Sequence, residues 1–218
     1  MTLGWLRRDD LAIEAGTVRM PSVDQGRSMA NELKYGDQVH LQNGYNSWAG
    51  GYLDTNGHSS DGGAKYGVST ADSPTRGEGT GTWQILSATG KAVGANVVSG
   101  DLVYLRNLYG GDGGYLDTNG HATADQKNSG GKFNVSTSKD QDRAPGTGRW
   151  RLFAQASSPG DQHVRPGDVI HLWNTYGDNG GFLETNGHGT AGGSKYDVCT
   201  NAYYNRAQNV GDWKLHRA

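Results

Sequence analysis

One octapeptide occurs three times along this chain, and it constrains the fold more than any other feature. The copies are Gly51-Tyr52-Leu53-Asp54-Thr55-Asn56-Gly57-His58, Gly114-Tyr115-Leu116-Asp117-Thr118-Asn119-Gly120-His121 and Gly181-Phe182-Leu183-Glu184-Thr185-Asn186-Gly187-His188, starting 63 and 67 residues apart. Each copy sits inside a longer stretch that also recurs. A segment repeated with its polar residues intact points to one architecture presenting one kind of site several times. That pattern suits multivalent binding better than a single asymmetric active centre.

Each unit opens with a Gly-Asp turn and an alternating strand, at 36–43, 100–107 and 167–174. Val39 and Leu41 share parity, as do Val103 and Leu105, so each pair lies on one strand face. A Gly-rich loop carrying Tyr45, Tyr109 or Tyr176 follows. The octapeptide then supplies a second strand ending in Asn-Gly, a tight-turn signal. A third strand is expected at 66–70, 133–137 and 196–200, then a segment bearing Arg76, Arg143 or Arg206. A closing strand carries Trp83, Trp150 or Trp213. Helical periodicity is absent inside the repeats.

Hydrophobic residues are only 33% of the chain and glycines number 36 of 218, so the sequence reads as a turn-rich β protein with a modest core. Eleven Tyr and six Trp compensate for scarce aliphatics, because each buried aromatic removes a large area from water. Net charge is −2 with both signs interleaved, and without a basic stripe there is no nucleic-acid footprint. No apolar run reaches the roughly 20 residues of a membrane span, so membrane insertion is not expected. The first residues lack an apolar signal core, giving the expectation of a cytoplasmic protein or one exported without a classical signal peptide. Cys199, the single cysteine, excludes an internal disulfide and replaces Ser69 and Ser136 of the other units.

Three four-stranded units are too few for a typical propeller. The fold expected is all-β: a β-trefoil with three internal four-stranded repeats and pseudo-threefold symmetry. Its repeats fall at about 34–97, 98–164 and 165–218 of a single 34–218 domain, with residues 1–33 as an N-terminal extension packing on it. Gly-Gly-Tyr-Leu-Asp-Thr-Asn-Gly, followed by a Gly-x-Trp-x-Ile/Leu closing strand, resembles the ricin-type β-trefoil lectins over about residues 34–217. The Gln of that family's Gln-x-Trp motif is replaced here by Gly81, Gly148 and Gly211.

The resemblance implies that Asp54, Asp117 and Glu184 accept hydrogen bonds from sugar hydroxyls. A carboxylate can take two vicinal hydroxyls in charge-assisted bonds. The alternative pairs each carboxylate with Arg76, Arg143 or Arg206, or uses it to cap the Asn-Gly turn. Asn56, Asn119 and Asn186 are further polar ligand candidates, and Tyr45, Tyr109 and Tyr176 are stacking surfaces for a sugar's apolar face. The tyrosines could equally pack over a barrel rim, whereas Trp83, Trp150 and Trp213 belong to the core. His58, His121 and His188 follow each Asn-Gly and either donate to a sugar hydroxyl or loop carbonyl, or converge on Zn²⁺ or Ni²⁺. No metal or cofactor is assigned, and Asp-Thr-Asn-Gly lacks the later ligands of a calcium loop.

Nucleophile elbow, HExxH and phosphate-loop motifs are absent, so an enzyme is not expected. The function expected is a multivalent lectin with up to three shallow sugar sites and glycans or glycoconjugates as partners. The alternatives are a protein-binding β-trefoil, such as a protease inhibitor or fascin-like cytoskeletal binder, and a targeting module of a toxin or enzyme. In the protein-binding reading, function would lie in an unrepeated segment such as 87–99 or 154–165.

Overall fold

Alternating apolar positions become strands throughout the described residues, 31–156 and 160–218, of the computed structural model. In chain order these are β1 Gln38–Asn43, β2 Tyr52–His58, β3 Ala64–Ala71, β4 Trp83–Ser87, β5 Leu102–Asn107 and β6 Gly114–His121. There follow β7 Gly131–Ser138, β8 Trp150–Ala154, β9 Val169–Asn174, β10 Gly181–His188, β11 Tyr196–Asn201 and β12 Trp213–Arg217. All twelve belong to one hydrogen-bonded antiparallel sheet. Its ladders run β1–β12–β9–β8–β5–β4 and return to β1, which closes the sheet into a barrel.

The all-β expectation holds, but the β-trefoil of three four-stranded repeats is corrected. No repeat closes as a unit of its own. Within the first repeat β1 and β4 share only Gln38↔Gln84 and Val39↔Trp83. The five-residue ladders instead join successive repeats: β4 to β5, β8 to β9, and β12 to β1. Strand pairing therefore ignores the sequence boundaries, and the result is one closed antiparallel β-barrel. The hairpins β2–β3, β6–β7 and β10–β11 extend from it and pair with one another through β3, β7 and β11.

Inside the barrel Val39, Leu41, Val103, Leu105, Ile170 and Leu172 are sealed from solvent. Trp83, Trp150 and Trp213 are fully buried, as their strand parity predicts. Each indole Nε1 donates to a strand carbonyl, of Leu53, Leu116 and Leu183, at 2.8, 2.9 and 2.9 Å. Truncating such a side chain to alanine costs about 3–5 kcal/mol. At one end Leu33, Val97 and Val164 form a cycle of backbone hydrogen bonds of 2.7–2.9 Å, each amide donating to another's carbonyl. Leu33 is thus core, and one compact unit begins at residue 31. The rest of the expected extension, residues 1–30, lies outside the described residues.

The glycines that replace Gln in the closing motif have a steric cause. A Cβ on Gly81 would collide with the Pro74 carbonyl oxygen, on Gly148 with that of Gln141, and on Gly211 with that of Tyr204. The long loop after β3, β7 or β11 is laid directly on this backbone. A short helix, Ala124–Asn128, lies between β6 and β7, and single helical turns at Tyr45–Trp48, Tyr109–Gly111 and Tyr176–Asp178 form the loops that carry the tyrosines. Thr123 caps the Ala124–Asn128 helix, with a reciprocal bond from its own amide to Gln126. No helix among the described residues is long and apolar enough to cross a membrane.

Candidate site: three pockets between hairpins and neighbouring loops

The octapeptide ends in a β-bulge in each hairpin, and the bulge determines where the histidine goes. Register shifts fall between Asn56 and His58, Thr118 and His121, and Thr185 and His188. Gly57, Gly120 and Gly187 take φ of 59°, 73° and 91°, a left-handed backbone that suits glycine. The extra residue re-aims the next side chain. His58 thereby lies over Tyr66, His121 over Phe133 and His188 over Tyr196, with centroids 5.0, 5.9 and 5.4 Å apart and interplanar angles of 20–32°.

A tyrosine from the next repeat's loop closes each pocket. Tyr109 meets Tyr66 edge-on at 5.4 Å, Tyr176 meets Phe133 at 5.4 Å, and Tyr45 meets Tyr196 at 5.2 Å. Each pocket thus joins the arginine of one repeat with the tyrosine of the following one: Arg76 with Tyr109, Arg143 with Tyr176 and Arg206 with Tyr45. Buried asparagines aim the loops. Oδ1 of Asn43, Asn107 and Asn174 accepts from the amide of Tyr45, Tyr109 and Tyr176 at 3.0–3.1 Å. Their Nδ2 groups donate to Val210, Thr80 and Thr147 carbonyls at 2.8 Å. Thr55, Thr118 and Thr185 hydroxyls donate to the same Oδ1 atoms at 3.0–3.4 Å, tying each hairpin to the loop that faces it.

Arginine lines each pocket and separates it from the carboxylate behind. Nη2 of Arg76 donates to Asp54 Oδ1 and to the Thr55 carbonyl, both at 3.0 Å. Arg143 does the same with Asp117 at 3.0 Å and the Thr118 carbonyl at 2.9 Å. Arg206 Nε donates to both oxygens of Glu184, at 3.2 and 3.3 Å. The arginine side chains keep 26–36% of their surface exposed, against at most 1% for the carboxylates. Asp54, Asp117 and Glu184 are therefore out of reach of a ligand, and the expectation that they ligate sugar is corrected in favour of arginine pairing. Burial pushes the Asp117 and Glu184 carboxyls above their usual range, opposed in part by Arg143 and Arg206.

The resulting cavities have volumes of about 290, 190 and 250 Å³. Each has the same plan: His188, Tyr196, Tyr45 and Arg206; His121, Phe133, Tyr176 and Arg143; His58, Tyr66, Tyr109 and Arg76. The histidines sit in separate pockets and do not converge on a metal position. Of the candidate asparagines, Asn186 and Asn119 line pockets but serve structure too. Asn186 Nδ2 donates to Glu184 at 2.9 Å, and Asn119 Nδ2 to the Gly62 carbonyl at 3.2 Å. Asn56 faces a different cavity, between β3, β7 and β11.

Sequence reasoning missed Tyr66, Phe133 and Tyr196 as pocket walls, and Asn43, Asn107 and Asn174 as the groups that aim the loops. The asparagines had a legible signal, since each stands two residues before its tyrosine. Cys199 is buried opposite Glu184 in the β10–β11 ladder, the place Ser69 and Ser136 hold opposite Asp54 and Asp117.

No protein-family model matches the chain, and no curated protein matches it in sequence. Solved structures do match in fold. The SDF2-like protein from Arabidopsis thaliana superposes with a TM-score of 0.63 at 16% identity, over 84% of this chain and 94% of that one. A Caenorhabditis elegans protein of unknown function gives 0.64 at 14%, over 87% and 98%. The S. cerevisiae protein O-mannosyltransferase Pmt1-Pmt2 complex, solved bound to the sugar donor, gives 0.62 at 14%, over 85% of this chain and 25% of that one. At these identities the likeness is one of β-rich fold. No ricin-type lectin is among these three.

Proposed function

We propose that this is a multivalent carbohydrate-binding protein, not an enzyme, whose sugar rings lodge in the three inter-repeat pockets. The observation that carries the reading is the recurrence of one wall set, imidazole on aromatic ring with a tyrosine edge and a partly exposed arginine, in three cavities. An aromatic face accepts the apolar C–H face of a pyranose. Imidazole, phenol and the free arginine edge supply hydrogen bonds to its hydroxyls. Cavities of 190–290 Å³ fall below the roughly 300–1,000 Å³ of drug-sized sites, which suits one sugar residue each. Sites of this size bind weakly alone, and glycan-coated surfaces that engage several at once raise avidity.

The test is a glycan array and an agglutination assay on wild type and on the triple variant His58→Ala, His121→Ala, His188→Ala. All three histidines are exposed on the pocket rim, so the variant should still fold, which its unfolding midpoint checks. Array signal and agglutination should be lost. A variant that binds the array as wild type does would refute the assignment.

A further inference from the structure

A fifth cavity, of about 470 Å³, lies on the outer barrel wall beside the Arg143 pocket, lined by the same two loops but sharing no wall residue with it. Its walls include Arg149, Arg151, Trp173, Thr175 and Asp178. Arg149 and Arg151 flank the inward Trp150, so strand alternation puts both guanidinium groups on the outer face, about 7 Å apart along the chain. Trp173 stands directly opposite Arg151 in the β8–β9 ladder. The other barrel ladders place Gln84 opposite Arg106 and Lys214 opposite Gln42, so neither repeats the arginine–tryptophan pair.

The two arginines differ in what holds them. Arg149 Nε meets Asp142 Oδ2 at 2.8 Å, while Asp142 Oδ1 accepts from the amides of Gly146 and Gly148 at 2.9 and 3.2 Å. That carboxylate is saturated and fixes Arg149, which keeps 45% of its side chain exposed. Arg151 Nη1 donates to the Gly100 carbonyl at 2.8 Å and has no carboxylate within ion-pair distance among the described residues. Its charge is left for a ligand. Across the cleft Asp178 keeps a left-handed backbone, φ 56°, which non-glycine residues adopt at a cost. Its carboxylate is an acceptor for hydroxyls, as is the Thr175 hydroxyl.

We infer that this cleft is a separate binding site for a carboxylated sugar ring, a uronate, with the ring on Trp173, its carboxylate on Arg151 and Arg149, and its hydroxyls on Asp178. A planar carboxylate matches the fork of a guanidinium, and a charge-assisted pair of this kind outweighs a neutral one. The charged lining is Arg149, Arg151 and Asp178, so a carboxylate fits beside the guanidinium groups while the Asp178 carboxylate calls for hydroxyls facing it. The cleft selects a molecule carrying both a carboxylate and hydroxyls. The site shares no wall residue with the histidine pockets.

The test is titration of ¹⁵N-tryptophan-labelled protein with D-glucuronate, D-glucose and acetate, reading the indole resonances and assigning Trp173 with Trp173→Phe. D-glucuronate should shift the Trp173 indole at millimolar concentration, and the other two should leave it unmoved. Arg151→Gln should weaken the response about tenfold, the loss of one charge-assisted hydrogen bond. Unchanged Trp83, Trp150 and Trp213 resonances report that this variant is folded, and Arg149→Gln provides a second reading on the opposite wall. Equal shifts with D-glucose or acetate, a silent Trp173, or full binding by both arginine variants would overturn the inference. The triple histidine variant should keep this response whether or not it binds the array, which separates the two readings.

Discussion

The Arg206 pocket and the Arg143 pocket share a plan but hold their backbone in opposite ways. Around Arg143 the turns are made largely by Gly146, φ 90°, and Gly177, φ 57°, with Asp178 the exception. Around Arg206 the corresponding turns are made by Asn46, Ser47, Trp48, Gln208 and Asn209, all with φ between 49° and 72°. Left-handed non-glycine residues cost about 1–2 kcal/mol each, less for Asn. Part of this is offset where Gln42 Nε2 donates to the Trp48 carbonyl at 2.8 Å and the Lys214 ammonium sits 3.8 Å over the Trp48 ring. The strained pocket is also the larger, 290 against 190 Å³, and Gln208 lines it. Glycine gives the turn without strain but contributes no side chain; the strained version gains one facing the cavity.

The same two pockets differ behind the arginine. Asp117 Oδ2 is buried without a hydrogen-bond partner, whereas Glu184 also accepts from Asn201 at 2.8 Å and Asn186 at 2.9 Å. Removing Arg143 should therefore hurt more than removing Arg206. Arg143→Ala strands a buried carboxylate and should cost about 3 kcal/mol in urea unfolding, with Arg206→Ala about half that. Equal losses would erase the distinction.

Next in size, Gln208→Gly should raise stability by up to about 1 kcal/mol as strain is relieved. It should also weaken sugar binding in that pocket. Asn209→Gly, whose side chain does not line the cavity, should leave binding intact. If Gln208→Gly destabilises the fold, strain is not what sets this pocket apart.

Cys199 offers a kinetic comparison between the native and unfolded chain. Burial and the Glu184 carboxylate push its thiol up to about 12. Iodoacetamide at pH 8 should modify it only as the chain unfolds, detectable by mass spectrometry in added urea; rapid labelling of native protein would show that the β10–β11 hairpin opens.

The smallest effect concerns His216 on β12, whose burial and Lys214 neighbour hold its pKa below the usual imidazole value. The unfolded chain then binds more protons below the ordinary imidazole value of 6.5, so wild type should lose stability as pH falls through that window. His216→Gln should flatten this slope between pH 7 and pH 5, and parallel slopes would assign it elsewhere.

The strands and the tryptophan core were legible because period-two alternation is a local signal; the Asn-Gly pairs, which read as tight turns, are bulges inside β2, β6 and β10. Asp54 was not legible, because alternation assumes one face of a strand is open. Leu53, Asp54 and Thr55 are all buried, since the long loop carrying Arg76 covers the face away from the core. The arginines' fixed spacing from the tryptophans did register this pairing as an alternative. Which tyrosine faces which histidine is a matter of pairing between repeats, and internal similarity is silent on it. The capping pair Thr123 and Gln126 was readable, yet a search for long helical periodicity passes over a five-residue helix.

β1 is hydrogen-bonded along its length to β12, from Val39↔Arg217 to Asn43↔Trp213. A ribosome must therefore release residues 213–217 before the ring can shut, and until then β1 presents an open edge. Ladders that join distant parts of a chain form slowly. Until β12 emerges the nascent barrel carries an unsatisfied seam, which makes docking of that strand the step at which productive folding and aggregation compete.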